Sequence, residues 1–457
     1  MRRQQSGSSF MKTMFSLMLF IVLQNVVTYS INMADNLMLG RYSQTALSGA
    51  ATVNMIQFLF QTIAVALGDS VVIVGSQYWG QGRTGPVRKL GGTAVISSLC
   101  AGVLVTLAVT LFPRQLLSLF TPDEAIIEQG LAYLSLIRYT YVLYALYTAF
   151  MCILRTSGKV NIALRISIVS LLLDVAINRV LIFGLLGFPE MGIRGAAVGT
   201  LSARSSELIL VLIYVIFFDK KLCFFAENPF RPDWTLVKDY FKTAASLCAS
   251  GFFWALATPI QTGILGHLSS DAVAANSVST TLFQYIKVVT QGEASAASVM
   301  TGRAVGEGDF EKIRRHAVTS QKVFLIIGFA LGILLFFLRI PMLSFYKLTP
   351  EAKNMANGML MILSVVFVGM AYQMPVGSGI IRGGGDTRFS LITNLISTWA
   401  IVIPFSFAAA FWWKLPEIWV VAVLNSDQIF KCLPIAIRCN NYKWIKTLTR
   451  SETDLSG

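Results

Sequence analysis

Twelve predominantly apolar stretches succeed one another through the chain, at approximately 13–38, 46–74, 91–112, 131–154, 162–186, 195–218, 241–265, 272–300, 317–338, 356–381, 388–412 and 416–438. About 20 such residues, rising ~1.5 Å each as a helix, cover the hydrocarbon thickness of a bilayer. The polar segments between them are too short to house a soluble catalytic domain, a disordered tail or a disulfide scaffold. Composition agrees, with 55% hydrophobic and 13% charged residues and a mean hydropathy of +0.65. The pattern predicts an all-α membrane protein of twelve transmembrane helices. The first run follows Met1-Arg2-Arg3, stays uncharged from Thr13 to Ala34 and has no small-x-small cleavage pattern, so it reads as a span rather than a signal peptide.

The formal charge of +14 is explained by where the cations fall. If the amino terminus is cytoplasmic, 26 of the 37 Lys and Arg lie on the cytoplasmic side, 7 on the other side and 4 within the runs. This is the positive-inside distribution of a multi-pass cell-membrane protein with both termini cytoplasmic, facing anionic lipid; nucleic acid need not be invoked. The six cysteines form no Cys-x-x-Cys and sit mostly in apolar runs, where they act as small hydrophobes. With two histidines, His267 and His316, both beside loops, the chain has little material for a haem, a di-metal centre or a histidine relay. No cofactor is expected. There is no Walker A sequence, and the Gly-rich Arg382-Gly-Gly-Gly385-Asp386 lacks the preceding strand of a dinucleotide site.

An offset of 226 residues aligns the two halves. Gly40-Arg-Tyr-Ser43-Gln-Thr-Ala46 meets Gly266-His-Leu-Ser269-Ser-Asp-Ala272, and Gly80-Gln-Gly82 meets Gly306-Glu-Gly308. Leu117-Ser118-Leu119-Phe120 meets Leu343-Ser344-Phe345-Tyr346, and at 227 Arg155-Thr-Ser-Gly158 meets Arg382-Gly-Gly-Gly385. Scattered Leu and Ala matches arise by chance in apolar sequence, but glycine and arginine in matching loops argue duplication. Six spans per half, an even number, predict parallel lobes related by a pseudo-twofold along the membrane normal. The expected organisation is an N-lobe over 1–218, a cytoplasmic linker over 219–240 serving as hinge, a C-lobe over 241–438 and a cytoplasmic tail over 439–457.

At these loops the sequence resembles the multidrug and toxic compound extrusion (MATE) family, within the wider multidrug/oligosaccharidyl-lipid/polysaccharide exporter superfamily. The resemblance is carried by Asp35-Asn-Leu-Met-Leu-Gly40, Gly80-Gln-Gly82, Leu154-Arg155-Thr-Ser-Gly158-Lys159, Leu181-Ile-Phe-Gly184, Gly192-Ile-Arg-Gly195-Ala-Ala-Val-Gly-Thr200 and Ile381-Arg382-Gly-Gly-Gly385-Asp386-Thr387, in order along nearly the whole chain. It implies export of small amphipathic, often cationic, organic compounds by antiport against H+ or Na+, through alternating access of two lobes in a monomer. The nearest alternative is a lipid-linked saccharide flippase of the same superfamily, which would need several cavity cations for its pyrophosphate. A membrane-embedded enzyme would need a convergent catalytic set that two loop-side histidines do not supply.

Ionisable groups inside spans are costly unless paired or hydrated, so they form the candidate list. Asp35 is the one charged residue between Lys12 and Gly40 and lies roughly 34 Å beyond Lys12 along the first helix. Depth alone leaves headgroup contact and ion coupling equally open; its match to the family's first-span aspartate implies coupling. Asp174 and Asn178, four apart in the fifth span, share a helix face. Some relatives carry the asparagine first and the aspartate four residues later, the reverse of this chain. A carboxylate and a carboxamide together can hold a proton or ligate Na+, so a Na+ site at Asp35, Asp174 and Asn178 is one expectation. Thr200 matches a family hydroxyl near this site and can equally bond its own helix backbone.

Arg204 and Glu207, three apart in the sixth span, are expected to pair with each other. Lys287 and Glu293, six apart in the eighth, either line a cavity or snorkel to the interface. Gln57 and Gln61, four apart in the second, either bond substrate or tie helices together. One branch of the family carries a glutamate in the seventh span and an aspartate in the tenth; neither span has an acid here, which places coupling in the first lobe.

Overall fold

The computed structural model describes residues 2–346 and 348–450, with the side chains of 2–9 and of Ser270 left out of the description. Met1, Lys347 and residues 451–457 of the expected tail therefore lie outside the described residues. Helices form where the apolar runs stand. They are Arg2–Tyr42, Gln44–Gly80, Thr84–Leu111, a fourth made of Glu124–Ile137 and Thr140–Thr156, Asn161–Phe183, Ile193–Phe218, Trp234–Gly266, Ser270–Glu307, Phe310–Ser344, Pro350–Ile381, Thr387–Trp412 and Glu417–Asn440. The two pieces of the fourth meet at a bend of 51°. Ten of the others are long and apolar enough to cross a membrane alone. The exception is the eighth, whose 38 residues are ample but whose Ser, Thr and Ala content, with Lys287 and Glu293, leaves it short of the apolar stretch the others have.

The loop identities shared by the halves are the residues that start and stop helices. Ser43 and Ser269 are both N-caps in extended backbone, and each hydroxyl accepts from the backbone N–H three residues on, Ala46 at 3.4 Å and Ala272 at 3.1 Å. Gly82 and Gly308 stand at φ of 75° and 74°, and Gly158 and Gly385 at 81° and 103°. These are left-handed positions where a side chain would strain the backbone. Duplication thus persists where backbone geometry forbids change.

The chain forms two compact units, one of Leu23–Ala244 with Arg450–Gly457, the other of Ala245–Thr449 with Met1–Val22. This differs from the expected boundaries in three places. The first helix is divided: its opening part packs in the second unit, where the Phe10 ring stacks on His316 at 3.8 Å and Ser320 donates to the Met14 sulfur at 3.6 Å. The segment expected to be a hinge linker is docked on the first unit, with Arg88 Nε donating to Leu222 O at 2.8 Å, Lys89 pairing with Asp233 at 3.2 Å and the Tyr240 hydroxyl donating to Leu67 O at 3.1 Å.

The tail, too, is packed rather than trailing. Trp444 is fully buried in the second unit and Lys446 N donates to Gly384 O at 2.9 Å. Asp386 anchors this segment, accepting from Lys446 Nζ at 2.7 Å and Arg438 Nε at 2.9 Å. The Gly-rich loop therefore serves as a seat for the tail, and its bare glycines make room for the Trp444 ring.

Between membrane helices the lipid is as apolar as the core, so close packing rather than hydrophobic burial holds each unit together. In the first unit the second helix packs on the third and fourth, and the fourth on the sixth; in the second unit the eighth packs on the ninth and tenth, and the tenth on the twelfth. The fifth and sixth helices approach most closely at Gly195 and Gly199, and that approach sets the site.

Candidate functional site

A Cβ on Gly195 would stand 2.7 Å from the Leu181 carbonyl, and one on Gly199 would collide with Asn178 Oδ1. Two bare positions on the sixth helix thus let the fifth helix lie flush against it and fix the Asn178 carboxamide. Asp174 and Asn178 are fully buried. The single nitrogen of Asn178 donates one hydrogen to Asp35 Oδ1 at 2.7 Å and the other to Asp174 Oδ2 at 3.1 Å. One neutral side chain therefore bridges two acids from helices far apart in sequence. Both of its hydrogens are used, while Asn178 Oδ1 and Asp174 Oδ1 are buried without a partner among the described residues.

The two carboxyls thus converge on one carboxamide nitrogen. If both were ionised, two like charges would share a poorly solvated place and repel each other. Arg204 faces both acids but is already bound to Glu207 at 2.8 Å. Three acids against one arginine leave this buried cluster with a formal charge of −2. The space beside it is a cavity of about 20 Å³, lined by Asn32, Asp35, Asn54, Gln57, Tyr133, Asp174, Thr200 and Arg204 among others. That holds one water or a small ion, whereas sites for organic ligands run to about 300–1,000 Å³. Asp174 lines this cavity and keeps one oxygen without a partner among the described residues, whereas the Asn178 oxygen lies against Gly199 and Asn178 is not among the lining residues.

The structure brings Asp35, Asp174 and Thr200 to the cavity and joins Asn178 to both acids. Thr200 lines the cavity while its hydroxyl donates to Ala196 O at 3.1 Å. Gln57 lines the cavity; Gln61, one turn on, is half-buried and does not. Arg204 and Glu207 pair as expected, with the guanidinium 5.2 Å from the Tyr144 ring. Lys287 lies in the other unit, 5.6 Å from the Trp254 ring and within the field of Asp427 and Lys431, which pair at 2.7 Å. Glu293 does not snorkel. It is 1% exposed, and neither carboxyl oxygen has a hydrogen-bond partner among the described residues.

Sequence reasoning missed Asn32, Asn54, Ser170 and Tyr133 as lining residues. Three of them carry a helical signal, since Asn32 lies three before Asp35, Asn54 three before Gln57 and Ser170 four before Asp174. Tyr133, which meets the Thr200 hydroxyl, has none: it stands in a tyrosine-rich span where nothing marks one ring over another.

A two-unit bundle of twelve membrane helices with a buried, ion-sized acidic cavity defines an integral membrane transporter. The chain belongs to the MatE family, the MATE transporters, whose family model matches it twice, at residues 21–180 and 247–408. The starts of the two matches are 226 residues apart, the offset read from the loops. A "Probable multidrug resistance protein NorM" from Thermotoga maritima is 24% identical over 437 residues, covering 95% of this chain and 93% of that one. The "Multidrug resistance protein MdtK" of Yersinia pseudotuberculosis is 22% identical, covering 86% of each chain. Among solved structures, the fold matches an outward-facing multidrug resistance MATE family transporter with a TM-score of 0.85 at 18% identity, over 94% of this chain and 96% of that one. It likewise matches the Vibrio cholerae MATE transporter VcmN in its bent form, with a TM-score of 0.85 at 18% identity over 97% and 99% of the two chains.

Proposed function

We propose that this protein is a secondary active multidrug exporter that expels amphipathic or cationic organic compounds in exchange for H+ or Na+, by alternating access, with Asp35, Asp174 and Asn178 as the coupling-ion site. The observation that carries the reading is the Asn178 carboxamide bridging two buried acids beside a cavity of about 20 Å³. That cavity admits the ion and excludes the drug, so the two are exchanged through conformation rather than by competition within it. The names of the NorM and MdtK relatives support the substrate class.

The chemistry is electrostatic. With a proton or Na+ at the pair, Asp35 of the first helix and Asp174 of the fifth attract through the shared ion and the Asn178 bridge. When the ion leaves, two carboxylates face each other in a poorly solvated place, and the first helix is driven from the fifth. Ion occupancy therefore changes the free energy difference between conformations, which is what an ion gradient needs to drive a transport cycle. The distribution of Lys and Arg supports a cell-membrane protein with both termini cytoplasmic. The role is transport and requires no bond-making chemistry.

The test is efflux of a fluorescent organic cation from proteoliposomes under a pH gradient or a Na+ gradient imposed separately, with wild type and Asp35→Asn in parallel. One gradient should drive efflux in the wild type, and Asp35→Asn should fall to the rate of protein-free liposomes while eluting as a folded monomer. Wild-type rates in Asp35→Asn would overturn the assignment.

A further inference from the structure

The second unit carries a feature that the coupling site does not use. Its ninth, tenth and twelfth helices enclose an open, almost wholly apolar groove of about 1010 Å³. The lining on the ninth helix runs from Val318 to Phe336, about 27 Å at ~1.5 Å per residue, which is most of the hydrocarbon thickness of a bilayer. Its floor is made of small residues, Gly332, Ser364 and Gly369, and its rims of apolar ones such as Phe329, Val365 and Leu433. Val365 and Leu433 are 65% and 69% exposed, so the groove opens sideways, toward what in a membrane is acyl chain.

One end is polar. There Gln321 accepts from the Tyr372 hydroxyl at 2.7 Å and donates to Asn440 Oδ1 at 3.3 Å, forming a hydrogen-bonded shelf. Asn440 is exposed and accepts through its oxygen, which leaves its carboxamide N–H groups available. Beside the shelf stands Lys322, exposed and in no ion pair among the described residues. The positive-inside distribution assigns this end to the cytoplasmic leaflet, where anionic headgroups gather.

We propose that this groove binds an anionic phospholipid, its acyl chains laid along the ninth and twelfth helices and its phosphate held by Lys322 and Asn440. The shape and the charge are both needed. A lysine at a membrane interface attracts any anionic lipid in passing, but a concave apolar channel beginning beside it holds the chains as well as the head. The cation at the mouth disfavours the organic cations proposed as transported substrates. A second copy docked by twofold symmetry would bring a second Lys322 face against the first, which counts against the groove being a dimer contact.

The experiment is native mass spectrometry of the delipidated, full-length protein titrated with phosphatidylglycerol or with phosphatidylcholine of the same chain length. The wild type should retain one phosphatidylglycerol with a preference of about fivefold or more over phosphatidylcholine, the scale of one basic residue at a membrane surface. Lys322→Glu should lose that preference. Leu433→Trp, which fills the groove at an exposed position, should lose retention of both lipids, while Leu104→Trp on an exposed face of the other unit should leave it unchanged. Inorganic phosphate in excess should not displace the lipid. Equal retention of the two lipids by the wild type, an unchanged preference in Lys322→Glu, displacement by phosphate, or a dimer whose formation excludes lipid would each overturn the proposal.

Discussion

The two units share their turns and differ in the charge they bury. In the first, Asp35, Asp174 and Glu207 face a single Arg204; in the second, Lys287 and Lys431 share Asp427, and the buried Glu293 has no hydrogen-bond partner among the described residues. At the offset of 226 that aligns the first loops, Asp35 corresponds to Gln261, and at the offset of 227 that holds from Arg155 and Gly158 onward, Asp174 corresponds to Ile401, Asn178 to Phe405, Arg204 to Lys431 and Glu207 to Pro434. Each acid of the cluster has been replaced in the second half by a residue that cannot carry charge, while Ser269, Gly308 and Gly385 keep the geometry of Ser43, Gly82 and Gly158. Duplication supplied a scaffold in which backbone-constrained positions are fixed and interior positions are free to diverge.

The contrast breaks most completely at the glycine that frames the site. Gly199→Val should displace Asn178 and abolish gradient-driven efflux, a loss of tenfold or more equivalent to about 1.4 kcal/mol or above in ion-binding free energy; Gly263→Ala in the second unit, where a Cβ would meet nothing within 4 Å, should leave efflux unchanged in the same proteoliposome assay. Next come the buried charges. Arg204→Phe alone should cost about 3–5 kcal/mol by stranding Glu207, whereas Arg204→Phe with Glu207→Leu, which removes both charges together, should recover most of that in thermal unfolding. Two destabilised variants without recovery would show that the pair does more than balance itself.

A smaller effect is expected outside the membrane, at the seat of the tail. Burial pushes the Asp386 carboxyl up, but its hydrogen bonds to Lys446 and Arg438 outweigh burial and hold it below the usual carboxylate range. A carboxyl depressed in this way stabilises the docked tail above its unfolded value of about 3.9, and that stability is lost as pH falls through the lower folded value. Trp444 emission should therefore report release of the tail only in strong acid. In Asp386→Asn, which forfeits about 1–3 kcal/mol of charge-assisted bonding, release should come near neutral pH on mild heating. The smallest effect is predicted for Glu293→Gln, which preserves shape in a position with no partners: a melting temperature and an ion-to-drug stoichiometry equal to wild type would keep coupling in the first unit, and a reduced stoichiometry would extend it to the second.

Much of this was legible along single helices. Arg204 and Glu207 could be paired, and Asp174 and Asn178 placed on one face, because residues three and four apart are neighbours on any helix. Gln61 shows the limit of that rule, since spacing put it beside Gln57 but could not say that the cavity ends a turn earlier. Glu293 shows another: its burial depends on neighbours drawn from other helices, and composition gave snorkelling equal weight.

The sequence by itself determined the twelve helices, their duplication in two sixes and the short list of charged residues that needed a role. Apolar length, positive φ glycines and capping hydroxyls are local requirements, satisfied within a turn or two of chain. Tertiary structure decided that Asn178 joins Asp35 to Asp174 across 143 residues of sequence, that Tyr133 closes the cavity, and that the first helix is divided between the two units. The tail's burial against the Gly-rich loop was decided in the same way. Such contacts depend on how closely helices approach, and that distance is set by bare positions such as Gly195 and Gly199 acting on partners far away in the chain.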